Sequence, residues 1–494
     1  MAVLHRHGGS RYAALLTIVS VATAIRIAFL LRNLSLTTDE ATSVVISQLP
    51  WHSFIAHLAS YEANMAVYYL ALRPWLLIGS SEGIVRALSV VLSLLAVVAL
   101  YVLTTRLFGT RAGLLSATLL ALNATHIEYG GQARAYGLYI LLSVLTSLVF
   151  CTAVERPTGR RWTLYAFLGA ITAYTHFYAV LTLVSHYASL LALGLRRVPW
   201  RWVMASGVLL TVLLLPAVLF VLLRDVGQVS LLGRPGVSSV IGALAVLSGG
   251  IVALPVYAFL CAVAVVGAWR DGVILSPASE SVKRWRYAFL ICWLIIPIVV
   301  AVAISFVRPT LAFRYLLGSV PPLGALAAVG LARLGLVMGT TCIVLILGLS
   351  AHVLKARYEG RAWENWSEAT RLVQTQAKFG DAVFIFAGHA RPGFEYYSSR
   401  YGDGGPPIVY PQSVLAPVRR LTPAHQDLVR QTLERLPGQY ARVWLVLSDD
   451  DDRYERVSTR YAVSLLIRGN LSTSYRAVQE HRFRGVTVLL FAAR

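Results

Sequence analysis

The sequence predicts a polytopic α-helical membrane protein that continues into a soluble α/β domain. Hydrophobic residues make up 57% of the 494 residues and charged residues only 14%, which is far more apolar than an ordinary soluble domain. Long apolar runs fill the first 354 residues and then stop. We therefore expect residues 1–354 to form the membrane module and residues 355–494 to form a second, extracytoplasmic domain.

Apolar runs long enough to cross a bilayer occur eleven times, at roughly 20 residues per crossing. No small-residue cleavage site follows the N-terminal stretch MAVLHRHGGSRY, so the first run is expected to stay as a helix rather than to leave as a signal peptide. The runs lie at about 12–31, 84–105, 112–127, 136–154, 162–178, 179–195, 202–223, 251–268, 287–306, 315–332 and 335–353.

The basic residues indicate which side each loop occupies. The net charge of +21 comes from short clusters between the apolar runs, such as TRLFGTR, ERPTGRR and LRRVPWR, and not from one patch that would bind nucleic acid. The positive-inside rule places these loops and the N-terminus in the cytoplasm. An odd number of crossings then puts the C-terminal domain outside. We expect a bacterial inner (plasma) membrane.

The first outer loop is apolar but is interrupted by charged residues and prolines. A single crossing over residues 41–80 would bury ionised groups at a cost of about 2.5–3.5 kcal/mol each at the bilayer centre. Two amphipathic helices in the outer interface are predicted instead, with aromatic side chains at headgroup depth. The alternative, one crossing at 64–80, would invert every later loop. The aromatic residues are Trp51, Tyr68, Tyr69 and Trp75.

The C-terminal part carries 20 of the 44 basic and 14 of the 23 acidic residues, and its pattern alternates between helix and strand. Helices are predicted at 363–379, 391–401, 425–436 and 451–466, and strands at 381–388, 442–449 and 485–493. The acidic run at 449–452 is typical of a solvated helix start more than of a metal site. Neither a Walker loop nor a GxGxxG turn supports nucleotide binding.

Polar motifs without basic clusters converge on the outer face, where we expect them to share one cavity. Asp39 and Glu40 follow the first helix in the stretch LTTDEATS. The candidate substrate-binding residues are Tyr61, Glu62, Asn64, His126, Glu128, Tyr136, His176, Tyr178 and Tyr315, and two arginines, Arg134 and Arg314, accompany them.

Carboxylates and arginines at the membrane surface suit group transfer from a lipid-anchored phosphate donor. A carboxylate can take the proton of an attacking hydroxyl, which makes Asp39 the candidate base. A guanidinium pairs with a phosphate through two parallel hydrogen bonds and keeps its charge, which makes Arg134 the candidate phosphate ligand and Arg314 a second one. Glu40 is expected to assist Asp39.

Each of these assignments has a structural alternative. The acid pair could cap the helix that follows it. Glu128 and Arg134 could form a salt bridge, and His126, His176 and Tyr178 could hydrogen-bond within their own turns. Arg314 could extend toward lipid headgroups.

The motif TTDEA resembles the acidic motif in the first outer loop of the GT-C glycosyltransferases. The resemblance is to the family 39 group, which includes protein O-mannosyltransferases and the aminoarabinose transferases acting on lipid A. Further similar stretches are YYLALRPWLLIGSSEGIVRALSVV, EYGGQARAYGLYILL, AYTHFYA and FRYLLGSVPPLGALAAVGLARL, so the resemblance covers most of residues 30–335. It implies a GT-C fold and a mannosyltransferase-like enzyme of the cell envelope.

The resemblance also implies a mechanism and a set of partners. A polyprenyl-phosphate sugar would be the donor, transfer would be inverting, Asp39 would be the catalytic base and Arg134 would contact the donor phosphate. The acceptor could be a lipid, a glycan or a protein. A divalent cation, Mg²⁺ or Mn²⁺, shared between Asp39, Glu62 and the phosphate is possible on ligand chemistry.

Three other interpretations of the sequence stay open. A lipid-carrier flippase or transporter would place polar groups midway across the membrane, whereas here they gather at one face. A polymerase or ligase that uses a diphosphate-linked donor is the nearest enzymatic alternative. A non-catalytic scaffold would not need the intact pair Asp39 and Arg134.

Overall fold

The computed structural model describes residues 2–32, 34–223, 235–273, 281–359, 364–386, 388–402, 404–415, 423–448 and 459–494. The chain packs as two units. The first consists of residues 1–32 and 58–355, and the second of residues 33–57 and 356–494. The second unit thus joins the C-terminal part of the chain to the start of the first outer loop, which lies more than 300 residues earlier. The acidic run at 449–452 lies outside the described residues.

The first unit is built of helices, and each of the eleven predicted crossings corresponds to one of them. These eleven are α1 (Ala2–Leu30), α5 (Glu82–Phe108), α6 (Thr110–Leu122), α8 (Tyr136–Glu155), α9 (Gly159–Thr175), α10 (Ala179–Ser189), α11 (Trp200–Leu223), α13 (Leu254–Arg270), α14 (Ser281–Val307), α15 (Val320–Leu331) and α16 (Leu336–Glu359). The remaining helices of this region are α4 (Ala66–Trp75), α7 (Ala124–Gly130) and α12 (Val237–Leu247).

Helices of membrane-spanning length confirm a multi-pass membrane protein. Within the described ranges, seven helices are long and apolar enough to cross a bilayer, with the 3-10 turn Phe313–Ser319 extending α15 to sufficient length. Four further helical segments of the described chain are apolar but shorter. They are Thr110–Leu122, Ala179–Leu193, Val237–Leu247 and Leu254–Arg270.

The first outer loop forms three short helices and not the two that were predicted. These are α2 (Thr38–Gln48), α3 (Trp51–Ser60) and α4. Tyr68 and Tyr69 of α4 are fully buried, whereas Trp51 is exposed. The Tyr68 hydroxyl bonds the Ser89 hydroxyl at 2.8 Å, and Tyr69 donates to the Glu62 carboxylate at 3.0 Å. The headgroup depth of these aromatic side chains stays a prediction.

Small residues allow the helices of the first unit to approach closely. Gly137 at the start of α8 faces the backbone of α5, where a Cβ atom would lie 2.8 Å from the carbonyl oxygen of Ser89. Glycine is therefore required at this crossing, as is common where membrane helices pack through their backbones.

A buried arginine links α1 to the rest of the first unit. Arg26 is 1% exposed, and its Nε donates to the Ser93 hydroxyl at 3.0 Å. Its Nη2 lies 2.9 Å from Nδ1 of His126. The same Nδ1 lies 2.9 Å from the Leu120 carbonyl oxygen, so the imidazole lies between the Arg26 donor and a backbone acceptor.

The second unit contains a five-stranded mixed sheet. Its strands are β1 (Asp381–Phe386), β2 (Ile408–Tyr410), β3 (Arg442–Ser448), β4 (Tyr475–Phe483) and β5 (Val486–Ala493), in the order β2-β1-β3-β5-β4. Strands β1, β2 and β3 run parallel to one another, and β5 runs antiparallel to both of its neighbours, β3 and β4. Its helices, apart from α2, are α17 (Trp366–Gln376), α18 (Arg391–Tyr401), α19 (Pro423–Arg435) and α20 (Thr459–Ser474).

The predicted elements of the C-terminal part are present, and two strands were missed. β2 is only three residues long, and β4 is an edge strand whose side chains are mostly exposed, so neither has the apolar pattern that marks a strand. The central strands β1 and β3 are buried on both faces. Helices α19 and α20 cover one of those faces through Val429, Leu433, Ile467 and Leu471.

An ion pair at the edge of this core ties β1 to β3. Asp381 is 2% exposed and accepts hydrogen bonds from Arg442 at 2.6 and 2.8 Å, from the Trp444 indole at 2.9 Å and from the Lys378 amide at 2.9 Å. Burial acts to raise the pKa of Asp381, but these donors outweigh it and the pKa lies below its ordinary value.

Replacing Asp381 by Asn is expected to destabilise the second unit by about 2 kcal/mol at pH 7, because Arg442 loses its charged partner. The native pKa is lowered, so the stabilisation is present above the unfolded pKa, near 4, and is lost as the pH falls through the lower native value. Native-state hydrogen exchange of the β3 amides measures the free energy. Asp427→Asn, in an exposed pair with Arg430, is the control and should change it by at most about 0.5 kcal/mol; equal effects of both variants would contradict the assignment.

Candidate functional site

Aromatic rings from three segments of the first unit form a cluster around His176. The ring of Tyr139, on α8, stacks on the His176 imidazole with centroids 4.8 Å apart. Tyr315 lies 5.2 Å from His176 and 5.1 Å from Tyr178, and Tyr136 lies 6.5 Å from His176. We call Tyr136, Tyr139, His176, Tyr178 and Tyr315 the tyrosine cage.

Local structure places His176 and Tyr178 in the tight turn between α9 and α10. His176 ends α9 in an extended conformation, and its carbonyl accepts the Ala179 amide at 2.8 Å. The side chain of Asn64 accepts the Phe177 amide at 3.0 Å, which holds the first outer loop against this turn. The Tyr178 hydroxyl donates to the Thr310 carbonyl at 2.9 Å and so connects the turn to the segment before Arg314.

The imidazole of His176 is a neutral, buried hydrogen-bond donor. It lies outside the membrane-spanning helix and is 1% exposed; burial, followed by the charges of Arg134 and Arg314, lowers its pKa to about 3. Its Nδ1 accepts the Tyr178 amide at 3.3 Å, which leaves the proton on Nε2. Nε2 is buried and has no hydrogen-bond partner among the residues that the structure describes.

Two arginines act electrostatically on His176 of the tyrosine cage. Arg134, in the turn before α8, is 7% exposed, and Arg314 is exposed with its guanidinium carbon 5.7 Å from the centre of the Tyr315 ring. Both lower the pKa of His176. Burial and then Tyr136 raise the pKa of Tyr129, whereas Arg314 opposes the rise, so Arg314 is near this residue as well. Two cations that act electrostatically on His176, together with the buried Nε2 of that residue, favour an anion as the ligand.

The predicted residues of the first outer loop take other roles. Glu62 accepts the Tyr69 hydroxyl, Asn64 caps the His176 turn, and Tyr61 is 52% exposed. Met65 follows with a left-handed φ of 71°, which is uncommon for a residue with a side chain. Backbone strain of this kind is frequent next to functional sites.

His126 and Glu128 lie in α7 and do not belong to the tyrosine cage. His126 is fully buried, its amide donates to the Asn123 side chain at 2.9 Å, and its Nδ1 lies 2.9 Å from both the Arg26 guanidinium and the Leu120 carbonyl oxygen. This agrees with the structural alternative for His126, a hydrogen-bonded histidine. Glu128 is half-buried.

Asp39 and Glu40 belong to the second unit, at the start of α2. The Glu40 carboxylate accepts the Thr37 amide at 3.0 Å, while the Glu40 amide donates to the Thr37 hydroxyl at 3.3 Å, which is a capping box. Glu40 is fully buried, whereas Asp39 is exposed. The two neighbouring acids therefore differ: Glu40 holds the first turn, and Asp39 presents its carboxylate at the surface.

In the described ranges, no three His, Cys, Asp or Glu side chains come together as metal ligands would. The Mg²⁺ or Mn²⁺ suggested by the sequence stays a prediction.

Sequence reasoning missed three residues of this region. Tyr139 is inside an apolar stretch, where a tyrosine gives no signal of its role, and Tyr129 belongs to the quoted stretch EYGGQARAY but was not singled out there. Gly318 was part of the quoted stretch FRYLLGS, but only the structure shows its contact: a Cβ atom there would collide with the Tyr139 hydroxyl.

A helical membrane module with an arginine-bearing cage, together with a small mixed-sheet unit, defines the GT-C class of fold. Residues 62–223 match the family model described as dolichyl-phosphate-mannose-protein mannosyltransferase. The fold and this match confirm the predicted resemblance to the family 39 group of GT-C glycosyltransferases.

Solved structures with the same fold include two forms of ArnT from Cupriavidus metallidurans. The form bound to undecaprenyl phosphate is 13% identical, with a TM-score of 0.60 over 96% of this chain and 97% of that chain. The apo form is 14% identical, with a TM-score of 0.61 over 97% and 98%. AglB from Archaeoglobus fulgidus, in complex with an inhibitory peptide and a dolichol-phosphate, is 10% identical, with a TM-score of 0.55 over 97% of this chain and 74% of that chain. No curated protein matches the sequence.

Substituting Gly318 by Ala is expected to lower the stability of the first unit by about 1–3 kcal/mol, because the new methyl group displaces the Tyr139 ring from His176. Thermal unfolding of the purified protein in lipid nanodiscs measures the effect. Gly348→Ala on α16 is the control: its Cβ would meet open space, so helix propensity should leave stability equal or higher. A Gly318 variant as stable as the control would disprove the close packing.

Proposed function

We propose that this protein is an integral-membrane glycosyltransferase that moves a sugar from a polyprenyl-phosphate donor to an acceptor hydroxyl on the extracytoplasmic face. The observation that carries the proposal is the tyrosine cage with its two arginines and the neutral imidazole of His176. The fold supports it, and so does the undecaprenyl phosphate bound by ArnT, a protein of the same fold. The sugar would be a hexose or a pentose.

Arg134, Arg314 and His176 would bind the phosphate of the donor. At an effective dielectric of about 20, a guanidinium 4 Å from a phosphate charge contributes roughly 4 kcal/mol of Coulomb attraction. That attraction grows as the leaving phosphate gains charge, so part of it would accelerate transfer. The Nε2–H of His176 is neutral over the physiological pH range and would add a hydrogen bond without depending on pH.

Asp39 would act as the general base. Its carboxylate would take the proton of the acceptor hydroxyl while the hydroxyl oxygen attacks the anomeric carbon. The bond between that carbon and the phosphate oxygen breaks, its electron pair leaves on the phosphate, and the configuration inverts. Support for this role comes from the exposed position of Asp39 on a helix turn that Glu40 holds in place.

The remaining predicted residues would shape the binding site. Tyr136, Tyr178 and Tyr315 would offer ring faces and hydroxyls to the sugar or its carrier. Tyr61, Glu62 and Asn64 would bind substrate from the first outer loop. Glu128 of α7 would contribute from outside the cage, whereas His126 is hydrogen-bonded as its structural alternative expected. The acceptor is a lipid, a glycan or a protein hydroxyl.

Replacing Asp39 by Asn is expected to reduce sugar transfer at least about 100-fold, because the amide cannot accept the proton. Radiolabel transfer from a panel of undecaprenyl-phosphate sugars to an envelope extract, by the purified protein in lipid, measures it. Undecaprenyl phosphate binding should be unchanged, since the proposed phosphate ligands belong to the other unit. Asp427→Asn serves as the control, and wild-type turnover of Asp39→Asn would eliminate the proposed base.

Arg134→Gln is expected to weaken undecaprenyl phosphate binding about 10- to 100-fold, the loss of a charge-assisted hydrogen bond. His176→Leu should weaken it about tenfold, whereas His176→Gln, which keeps a neutral N–H donor, should lose less. The native pKa of His176 is about 3, so the binding profile between pH 5 and 9 should have the same shape in His176→Gln as in the wild type.

Fluorescence or calorimetric titration in nanodiscs gives these affinities, with exposed Arg430→Gln as the control. Equal affinities of the Arg134→Gln variant and the wild type would place the phosphate elsewhere.

A further inference from the structure

We propose that Glu364 is a positioning residue that fixes the helix turn bearing Asp39, which makes the C-terminal part of the chain a component of the catalytic machinery. The inference rests on the proposed role of Asp39 as the base. Glu364 precedes α17, and its Oε2 accepts hydrogen bonds from both the amide and the hydroxyl of Thr38 and from the indole N–H of Trp366. The bond from the Thr38 amide is 2.7 Å long.

The first turn of α2 needs this carboxylate. Amides at the start of a helix have no partner within the helix, and the capping box of Thr37 and Glu40 serves only the amides of those two residues. Glu364 accepts the amide of Thr38, the first residue of α2, and its negative charge lies at the positive end of the helix dipole. The residue that follows Thr38 is Asp39.

Glu364 is itself held by the sheet of the second unit. The Asn365 amide donates to the Arg484 carbonyl at 2.8 Å, in the turn between β4 and β5. Gly485 in the same turn has a φ of +70° and faces Glu364, where a Cβ atom would lie 3.1 Å from the Glu364 Cγ. The backbone next to Glu364 is therefore hydrogen-bonded to the β4–β5 turn, and Gly485 leaves room there for the Glu364 side chain.

The indole of Trp366 provides a second constraint. It is fully buried and shares its N–H between Glu364 and the Thr38 hydroxyl, 3.1 Å away. Gly393 of α18 makes room for it, because a Cβ atom there would lie 2.7 Å from the indole ring. The sequence placed Trp366 in an amphipathic helix of a separate domain and gave no sign of this contact.

Two further hydrogen bonds hold the residues before Thr38. The Leu36 amide donates to the Tyr397 hydroxyl at 2.7 Å, and the Ser367 amide donates to the Ser35 hydroxyl at 3.1 Å. Three of the residues 35–38 are thus hydrogen-bonded to α17 or α18. The next residue, Asp39, is exposed. Glu364 alone among these contacts brings a charge to the helix start.

Three variants and a control in the full-length protein in lipid test the proposal. Glu364→Ala removes the acceptor, and misplacement of the base should lower transfer about 100-fold. Glu364→Gln keeps an accepting oxygen and should lose only about fivefold, as should Trp366→Phe, which removes one donor. Exposed Glu434→Gln on α19 is the control and should keep wild-type transfer. Undecaprenyl phosphate binding should be the same in all four proteins.

A double-mutant cycle separates positioning from a general structural effect. If Glu364 acts through Asp39, adding Glu364→Ala to Asp39→Asn should cause no further loss of transfer. Hydrogen exchange provides a readout that does not need turnover: the amides of residues 38–41 should exchange at least about tenfold faster in Glu364→Ala than in Glu434→Gln, with the β3 amides unchanged.

The outcomes are distinguishable. Additive losses in the cycle, wild-type transfer by Glu364→Ala, or unchanged exchange at residues 38–41 would each overturn the positioning role and leave the proposed function standing. Wild-type transfer by Asp39→Asn would overturn the base and the positioning role together. Non-additive losses with local acceleration of exchange, rescued in part by Gln, would establish the role of Glu364.

Discussion

A polar group taken out of water must find a partner, and in this apolar chain that constraint decides where the functional residues lie. Arg26 meets it with the Ser93 hydroxyl and the His126 ring. The Thr38 amide meets it with Glu364. In His176, Nδ1 accepts a hydrogen bond, whereas Nε2 is one of the buried atoms that have no hydrogen-bond partner among the described residues. Because the charges of Arg134 and Arg314 act on this histidine, its unsatisfied Nε2 supports the proposal of an anionic ligand.

The same constraint explains the difference between the two acids of the TTDEA motif. Glu40 is buried, and the capping box supplies its carboxylate with the Thr37 amide as a donor. Asp39 is exposed. The two adjacent acids therefore differ: Glu40 holds the helix turn, and Asp39 would act from that turn in the proposed function. Glu364, more than 300 residues further along the chain, completes the turn.

Much of the fold could be predicted because each apolar run is long and its period is local. All eleven runs are helices, and the central strands β1, β3 and β5 are where their apolar residues indicated. For the first outer loop, the sequence predicted two helices where there are three, and the buried hydrogen bonds of Tyr68 and Tyr69 are contacts that no local pattern reveals. Strands β2 and β4 were missed because a short strand and a polar edge strand carry little periodicity. Of the candidate site, the cage residues Tyr136, His176, Tyr178 and Tyr315 were all named in advance, whereas Tyr139 was hidden in an apolar run.

The sequence by itself determined the membrane class, the family resemblance and the residue types that could bind a phosphate or accept a proton, because composition, hydropathy and motif order are properties of short segments. Only the tertiary structure decided which of those residues meet. In the tertiary structure, the His126 ring lies within hydrogen-bonding distance of Arg26, and the His176 ring contacts the rings of Tyr139 and Tyr315. Residues 33–57 pack in one unit with the C-terminal part of the chain. Such contacts connect residues from 37 to more than 300 positions apart, and nothing in a local pattern encodes them.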